Sequence, residues 1–192
     1  MKLAAILIHY GDSEFTRNRL STLESSAAVS VIVTILHDEF PFQDECPRTK
    51  FITAPNNGYG AGINCAMRYL SDKNPDVTHG LILNPDVLVD DAAIQSLIAE
   101  HKTSAADCTF PIIKEGKIVI HGYRLNKMGL LRLSEDGAQF YSGACFLVSI
   151  EAWKKAGEFN ENYFHYFEDI DFCLRLQRAG LRTHLAKNVV LN

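Results

Sequence analysis

The run Tyr163-Phe164-His165-Tyr166-Phe167-Glu168-Asp169-Ile170-Asp171 places three acids at the start of a helix-period segment, directly after an aromatic cluster. A helix N-terminus favours the carboxylate form and aromatic walls exclude water, so an acid there has the surroundings of a general base. Acids also occupy first turns simply as caps, the reading that suits Asp171. Leu83-Asn84-Pro85-Asp86-Val87 is a second candidate, an apolar run ending abruptly in a carboxylate. Ligands of open α/β sheets bind beyond the carboxyl ends of the strands, so Asp86 stands where a hard cation bridging two phosphates could be held. An Asx-turn at a strand end asks for the same residue. The third candidate is Asn56-Asn57-Gly58-Tyr59-Gly60-Ala61-Gly62-Ile63-Asn64, which opens a helix. Glycines let backbone approach a ligand there, and the helix N-terminus attracts phosphate. An ordinary Gly-rich turn has the same composition, and the spacing G-x-G-x-G differs from the dinucleotide pattern G-x-G-x-x-G. The histidines are dispersed, and spacing assigns none of them to a metal.

The elements that would position these residues alternate between strand and helix patterns. LAAILIH (3–9), VSVIVTIL (29–36), KFITA (50–54) and GLIL (80–83) read as buried strands. Helices are expected from about Ser13, capped by Asp12 or Ser13, over Gly60–Leu70, and near Asp91–His101. Ile63, Ala66, Met67 and Leu70 follow the i, i+3, i+4, i+7 spacing of one buried face. This alternation predicts an α/β fold with a central, mainly parallel sheet flanked by helices. The second half adds short strand candidates, CTFPII, KIVIH and MGLLRL, which predict a small antiparallel or mixed region. GACFLVS (143–149) is a further buried strand, leading into a helix from Glu151 to about Ala156 that Gly157 stops. A last helix is expected over Glu168–Ala179, ended by Gly180, with Arg175 and Arg178 placed to complement its dipole. LRTHLAKNVVLN reads as a final strand.

The chain has 192 residues, 47% of them apolar, enough for one well-buried core and a single domain over 1–192. A net charge of −4 argues against nucleic acid as a partner. Five singly spaced cysteines suit reduced thiols in the cytoplasm better than a disulfide framework or a zinc site. The apolar stretch Leu3–Ile8 is too short to span a membrane.

Taken in order, His9-Tyr10-Gly11, Asn57-Gly58 with Asn64, Leu-Asn-Pro-Asp-Val and Ser142-Gly143-Ala144 lead to Gly157-Glu158-Phe159-Asn160-Glu161-Asn162-Tyr163-Phe164. Glu168-Asp169-Ile170-Asp171-Phe172-Cys173-Leu174-Arg175-Leu176 and Ala179-Gly180 complete the series. This series resembles the family 2 inverting glycosyltransferases of the GT-A fold, especially their rhamnosyltransferase-like branch. The resemblance covers nearly the whole chain, is most specific in the final third, and implies a Rossmann-like nucleotide-diphospho-sugar transferase. It makes Asp86 the metal-binding acid of a D-x-D-type motif, for Mn²⁺ or Mg²⁺, with Asn84 in the same turn. It makes Asp169 the catalytic base with Glu168 as its acidic neighbour. His9, Tyr10, Gly11, Asn57, Gly58 and Asn64 then fall where the family cradles the nucleotide, and Gly143 lies in the strand that floors the sugar and acceptor pocket. Two departures stand out. Leu36-His37-Asp38-Glu39-Phe40 occupies the place of an Asp-Asn-x-Ser-like turn, with Asp38 as its substitute. A further metal-ligating His of many relatives would fall just beyond Asn192, so the chain is expected to be truncated there or to be a module of a longer enzyme.

The implied activity is transfer of a sugar from a nucleotide-sugar donor, dTDP-rhamnose first and a UDP-sugar next. The acceptor would be a hydroxyl of a saccharide or lipid-linked saccharide in bacterial surface polysaccharide synthesis. Any contact with the inner face of a membrane would come from parts outside the chain. The rival readings are a metal-dependent phosphoesterase, an inactive nucleotide-binding module and, last, a nicotinamide enzyme.

Overall fold

The computed structural model describes residues 1–128 and 130–192. The first strand, β1 (Leu3–His9), is buried at all seven positions, because helices cover both faces of a parallel sheet. Its side chains alternate: Leu3, Ala5 and Leu7 enter one apolar cluster, Ala4, Ile6 and Ile8 the other. α1 (Ser13–Ser25) follows, begun by Asp12, whose side chain accepts the Glu14 N–H at 2.9 Å. Next come β2 (Val31–Leu36), β3 (Thr49–Thr53), α2 (Tyr59–Lys73), β4 (His79–Leu83) and α3 (Asp91–Ser104). α1 and α3 pack Leu20, Leu23, Ile94 and Leu97 into the first cluster. The expected stripe of α2, Ile63, Ala66, Met67 and Leu70, packs into the second.

The second half contributes β5 (Cys108–Glu115), β6 (Ile118–Ile120), β7 (Tyr123–Leu125), β8 (Leu131–Leu133) and β9 (Cys145–Ser149). α4 (Ile150–Ala156), α5 (Glu168–Arg178) and β10 (Thr183–Leu191) complete the chain. Gly157, at φ 88°, ends α4 in the left-handed conformation that glycine adopts without strain. The main sheet runs β10-β5-β9-β4-β1-β2-β3, with β6 added to β5, while β7 and β8 form a separate two-stranded sheet. Neighbours are parallel except for β6 on β5 and for β9, which is antiparallel to both β4 and β5. The expected α/β architecture is therefore present, with its small antiparallel region.

The reversed direction of β9 matters most for the site. It brings the start of that strand to the carboxyl edge of β1 and β4, where Leu83 pairs with Cys145. Asn84 N–H then donates to the Ala144 carbonyl at 2.8 Å. Three details differ from the expectations. β7 and a short 3₁₀ turn at Gln43–Glu45 went unread, since neither is long enough to show a period. The candidate MGLLRL narrows to Leu131–Leu133, and its Gly129 lies outside the described residues. Arg175 does more than complement a dipole: it pairs with Asp171 at 2.8 Å and donates to the Gly157 carbonyl at 2.9 Å, tying α5 to the end of α4.

Candidate active site at the carboxyl edge of the sheet

Asp169 sits in the first turn of α5 with both carboxylate oxygens held by backbone. Gly143 N–H donates to its Oδ2 at 2.9 Å, and Ile170 N–H to its Oδ1 at 2.8 Å. Burial pushes the Asp169 carboxyl above its ordinary value, and these backbone donors oppose the shift. A Cβ on Gly143 would stand 2.9 Å from Asp169 Cβ, so the acid reaches this place only because residue 143 is glycine. Gly143 is thus a support for Asp169. It lies just before β9 rather than within it, and its missing side chain gives room to the acid. The carbonyl of Gly143 in turn accepts from the Tyr59 hydroxyl at 3.1 Å. Tyr59, at the start of α2, has its phenol raised by burial, with Cys145, Glu168, Asp169 and Asp86 adding to the effect. One residue thereby senses both the Asp169 and the Asp86 sides of the site. Sequence reading passed over Tyr59; the signal was an aromatic hydroxyl inside a glycine run.

Glu168 is buried, and its Oε2 has no hydrogen-bond partner among the described residues. Burial raises its carboxyl; its own backbone N–H and His165 pull the other way, and Asp169 reinforces the rise. The backbone immediately before it is strained, with Tyr166 at φ 67° and Phe167 at φ 69°. Two successive non-glycine residues in the left-handed region carry a conformational cost that the surrounding fold has to offset, and such strain clusters at functional sites. The aromatic cluster itself is more open than expected: Phe164, Tyr166 and Phe167 are all exposed. Asp171 is not a cap, because its carboxylate is taken by Arg175.

Asp86 follows β4 on the same edge and is exposed. Asn84 is half-buried, and its Oδ1 has no hydrogen-bond partner among the described residues. An exposed carboxylate beside a buried, unengaged amide oxygen fits a hard cation that takes few protein oxygens and completes its shell with phosphate and water. Among the described residues no group of three or more His, Cys, Asp or Glu forms a self-sufficient metal cage. Behind this turn, Arg19 of α1 is buried and donates to the Val89 carbonyl at 2.9 Å, close enough to feel Asp86.

The residues expected to cradle a nucleotide divide into two groups. Tyr10 and Gly11, after β1, are exposed, as are Asp38 after β2 and Asn57 before α2. His37, Asp38, Phe40, Thr53 and Ala54 line a cavity of about 620 Å³ between the ends of β2 and β3. His37 donates through Nδ1 to the Ala54 carbonyl at 3.0 Å, and its buried Nε2 has no partner among the described residues. The other group is turned inward. His9 is fully buried, its Nε2 donating to the Glu39 carbonyl at 3.0 Å and its Nδ1 bonded to Thr16 Oγ1 at 2.8 Å. It anchors the 37–40 loop and has no nitrogen left for a ligand. Asn64 is 0% exposed, and both ends of its amide are engaged. Its Oδ1 accepts from Phe159 N–H and Trp153 Nε1–H, and its Nδ2 donates to the Phe159 carbonyl and Glu161 Oε1. Asn64 pins α2 to the 159–161 turn. Gly58 is closely approached, but by the chain itself: a Cβ there would lie 2.3 Å from the Phe164 carbonyl oxygen, which also accepts the Tyr59 N–H. The glycine seats the aromatic loop over the start of α2.

Residues 113–192 match the family model "Glycosyl transferase family group 2". The low-salt glycan biosynthesis hexosyltransferase Agl10 of Haloferax volcanii is 25% identical, over 93% of this chain and 62% of that protein. The rhamnosyltransferase WbbL of Escherichia coli K12 is also 25% identical, over 93% of this chain and 78% of its own length. An N-acetylglucosaminyl-diphospho-decaprenol L-rhamnosyltransferase of Mycobacterium tuberculosis is 26% identical, over 67% of this chain and 52% of that protein. The chain thus spans between about half and four-fifths of these relatives. In structure it is similar to GalNAc-T7, solved with UDP, GalNAc and Mn²⁺, at a TM-score of 0.76 and 11% identity, covering 99% of this chain and 42% of that one. The fold is GT-A, and together with the relatives it supports a family 2 glycosyltransferase of the rhamnosyltransferase-like branch.

Proposed function

We propose that this chain transfers a hexose from a nucleotide-sugar donor to a hydroxyl of a saccharide or lipid-linked saccharide, with inversion at the anomeric carbon. dTDP-rhamnose is the first donor to test and UDP-sugars the next, because two of the relatives above are rhamnosyltransferases. The observation that carries the reading is Asp169: a half-buried carboxylate with a raised pKa, gripped by Gly143 N–H, on the same sheet edge as Asp86.

In this reading the acceptor hydroxyl meets Asp169, which takes its proton as the oxygen attacks the anomeric carbon. The bond from that carbon to the departing nucleoside diphosphate breaks in the same step, on the opposite face, so the configuration inverts. A raised pKa makes Asp169 a better proton acceptor than an exposed aspartate, and general-base help of this kind contributes about 10²–10⁴ in rate. The two backbone donors hold the carboxylate in place before the acceptor arrives, so little ordering remains for the reaction itself. Glu168, buried beside it, keeps a second acid at the reacting centre. Asp86, with Asn84 Oδ1, would hold a divalent cation, whose chemistry is to offset charge on the diphosphate. Asp38 and the cavity beside His37 would take the nucleoside.

The test is nucleotide binding with and without metal, read as thermal stabilisation, since a ligand of the folded state adds about RT ln(1 + [L]/Kd). dTDP or UDP should stabilise the protein with Mn²⁺, and Asp86→Ala should abolish most of that gain while changing little in EDTA. Equal loss in both conditions would leave Asp86 a turn-former and remove the metal from the reading.

A further inference from the structure

The β7–β8 hairpin carries a pattern that neither the core nor the candidate site uses. Between Lys114 and Leu133 the sequence holds five cations, Lys114, Lys117, Arg124, Lys127 and Arg132, against the single acid Glu115, in a chain whose net charge is −4. The strand register sets Arg124 directly opposite Arg132, and both are exposed. Like charges facing across an antiparallel pair destabilise it, and a two-stranded hairpin has little stability in reserve. Among the described residues none of the five takes part in an ion pair. The other face of the hairpin pairs Tyr123 with Leu133 and Leu125 with Leu131. There Leu125 is 46% exposed and Leu133 53%, and at the turn Met128 is 76% and Leu130 54% exposed.

Four large apolar side chains in water, next to cations without acidic partners, describe a surface built for a partner that is both greasy and negative. A nucleic acid would satisfy the cations and leave the leucines and the methionine wet; the headgroup zone of an anionic bilayer satisfies both. The acids Glu135 and Asp136 do not spoil the complementarity, since they follow β8 at the base of the hairpin, away from its turn. Asp136 there pairs with Lys187 at 3.7 Å. We propose that this hairpin docks the protein on an anionic phospholipid surface, Leu125, Met128, Leu130 and Leu133 entering the headgroup region and Arg124, Lys127 and Arg132 meeting lipid phosphates. The hairpin is rooted beside the candidate site. Tyr123 N–H donates to the Phe140 carbonyl at 2.8 Å, three residues before Gly143, and Asp169 is near enough to help burial raise the Tyr123 phenol. Docking here would bring Asp169 to the membrane surface, where a lipid-linked acceptor resides. That use rests on the transferase reading; the docking does not.

The experiment is sedimentation of the chain with phosphatidylcholine vesicles, with and without phosphatidylglycerol. Binding should require phosphatidylglycerol and weaken with salt. A cation near an anionic surface contributes about 1 kcal/mol, or about fivefold, so Arg124→Gln with Arg132→Gln should weaken binding roughly 25-fold. Leu125→Ser with Leu133→Ser should weaken it at low and high salt alike, with circular dichroism unchanged because neither residue belongs to the core. Met128→Ser with Leu130→Ser, confined to the turn, should act the same way and guards against loss of the hairpin in the first pair. No binding to phosphatidylglycerol vesicles, or binding indifferent to all three pairs, overturns the proposal. So does equal affinity for a single-stranded oligonucleotide with the serine variants unaffected. Thermal stabilisation by dTDP or UDP, read on the same samples, reports the donor site separately, so failure there and failure on vesicles are told apart.

Discussion

Gly143→Ala tests whether the site depends on how closely Asp169 approaches the start of β9. The added Cβ would lie 2.9 Å from Asp169 Cβ and 3.5 Å from its Oδ2. Relaxed carbon–carbon contacts stand at about 3.5–4.0 Å, so the two carbons must part by about 0.6–1.1 Å. Neither side yields freely. Residue 143 is held by the Asn84–Ala144 backbone bond and by Tyr59, and Asp169 by the first turn of α5. Overpacking of this size lowers stability by about 1–3 kcal/mol. A reacting group displaced by about 1 Å loses up to about 10² in rate. Gly143→Ala should therefore lower kcat about 10- to 100-fold with little change in donor KM, measured as acceptor-dependent release of nucleoside diphosphate. Urea unfolding of the same preparations gives the stability term separately. The decisive measurement is the double variant. Once Asp169→Asn has removed the base, moving residue 169 has nothing further to take away, so Gly143→Ala should cost almost no additional activity. If it lowers the rate by the same factor in both backgrounds, or leaves kcat untouched in a folded protein, Gly143 does not act through Asp169.

Asp169→Asn keeps the hydrogen-bond geometry but cannot accept a proton, so transfer should fall by about 10² or more with donor binding intact. Because burial raises the Asp169 carboxyl, the rate should decline with falling pH above the range where an exposed aspartate titrates. The Asn variant should lack that limb; a variant that keeps it assigns the limb to another group. Asp171→Asn removes the ion pair to Arg175 and should lower stability by about 1 kcal/mol or less, leaving kcat within a few-fold. Activity that survives Asp169→Asn and collapses in Asp171→Asn would reverse the two roles. Glu168 has a carboxyl raised by burial, so its contribution to stability is full below the ordinary glutamate value and is lost as pH rises through the folded-state value. Glu168→Gln should accordingly stabilise the protein near neutrality, by about 1 kcal/mol or about 2–4 °C in Tm, and give no gain in acid. An equal shift at both pH values would point to packing instead of charge.

What could be read from the residues was whatever a short window contains. The apolar run of β1, the stripe of α2 and the glycines after α4 and α5 all state their local structure by period or by backbone demand, and each element stands where it was expected. β7 could not be read, because Tyr-Arg-Leu is too short to carry a period. The direction of β9 could not be read either, since a strand buried on both faces has the same composition whichever way it runs. The positions of Glu168, Asp169 and Asp86 in the fold were legible because a strand end and a helix start limit where a side chain can go. Asn64 and His9 are harder to read for the opposite reason. A polar residue near a ligand motif looks the same whether it faces the ligand or the core, and only Trp153, Phe159 and Glu39, distant in sequence, reveal which. Gly58 was sound as a point of close approach, but nothing local says that the approaching group is Phe164.

The antiparallel strand that carries Gly143 to the sheet edge also sets the order in which the molecule can be assembled. β4 and β5 are not neighbours; β9 is the wedge between them, and it is synthesised about 60 residues after β4 ends. At about 5–20 residues per second, a nascent chain holds the edge of β4 open for about 3–12 s before its partner exists, with β5 open for the later part of that interval. Both edges are lined by core residues such as Leu81, Ile82 and Phe110, but they differ in protection: β5 carries Pro111 and ends in Lys114 and Glu115, whereas β4 has no proline or acid, lysine or arginine to blunt its edge. A ribosome that stalls, or a protease that cuts, ahead of Cys145 therefore releases a fragment with the apolar edge of β4 unpaired and without Asp169, one suited to chaperones or aggregates and not to a working site.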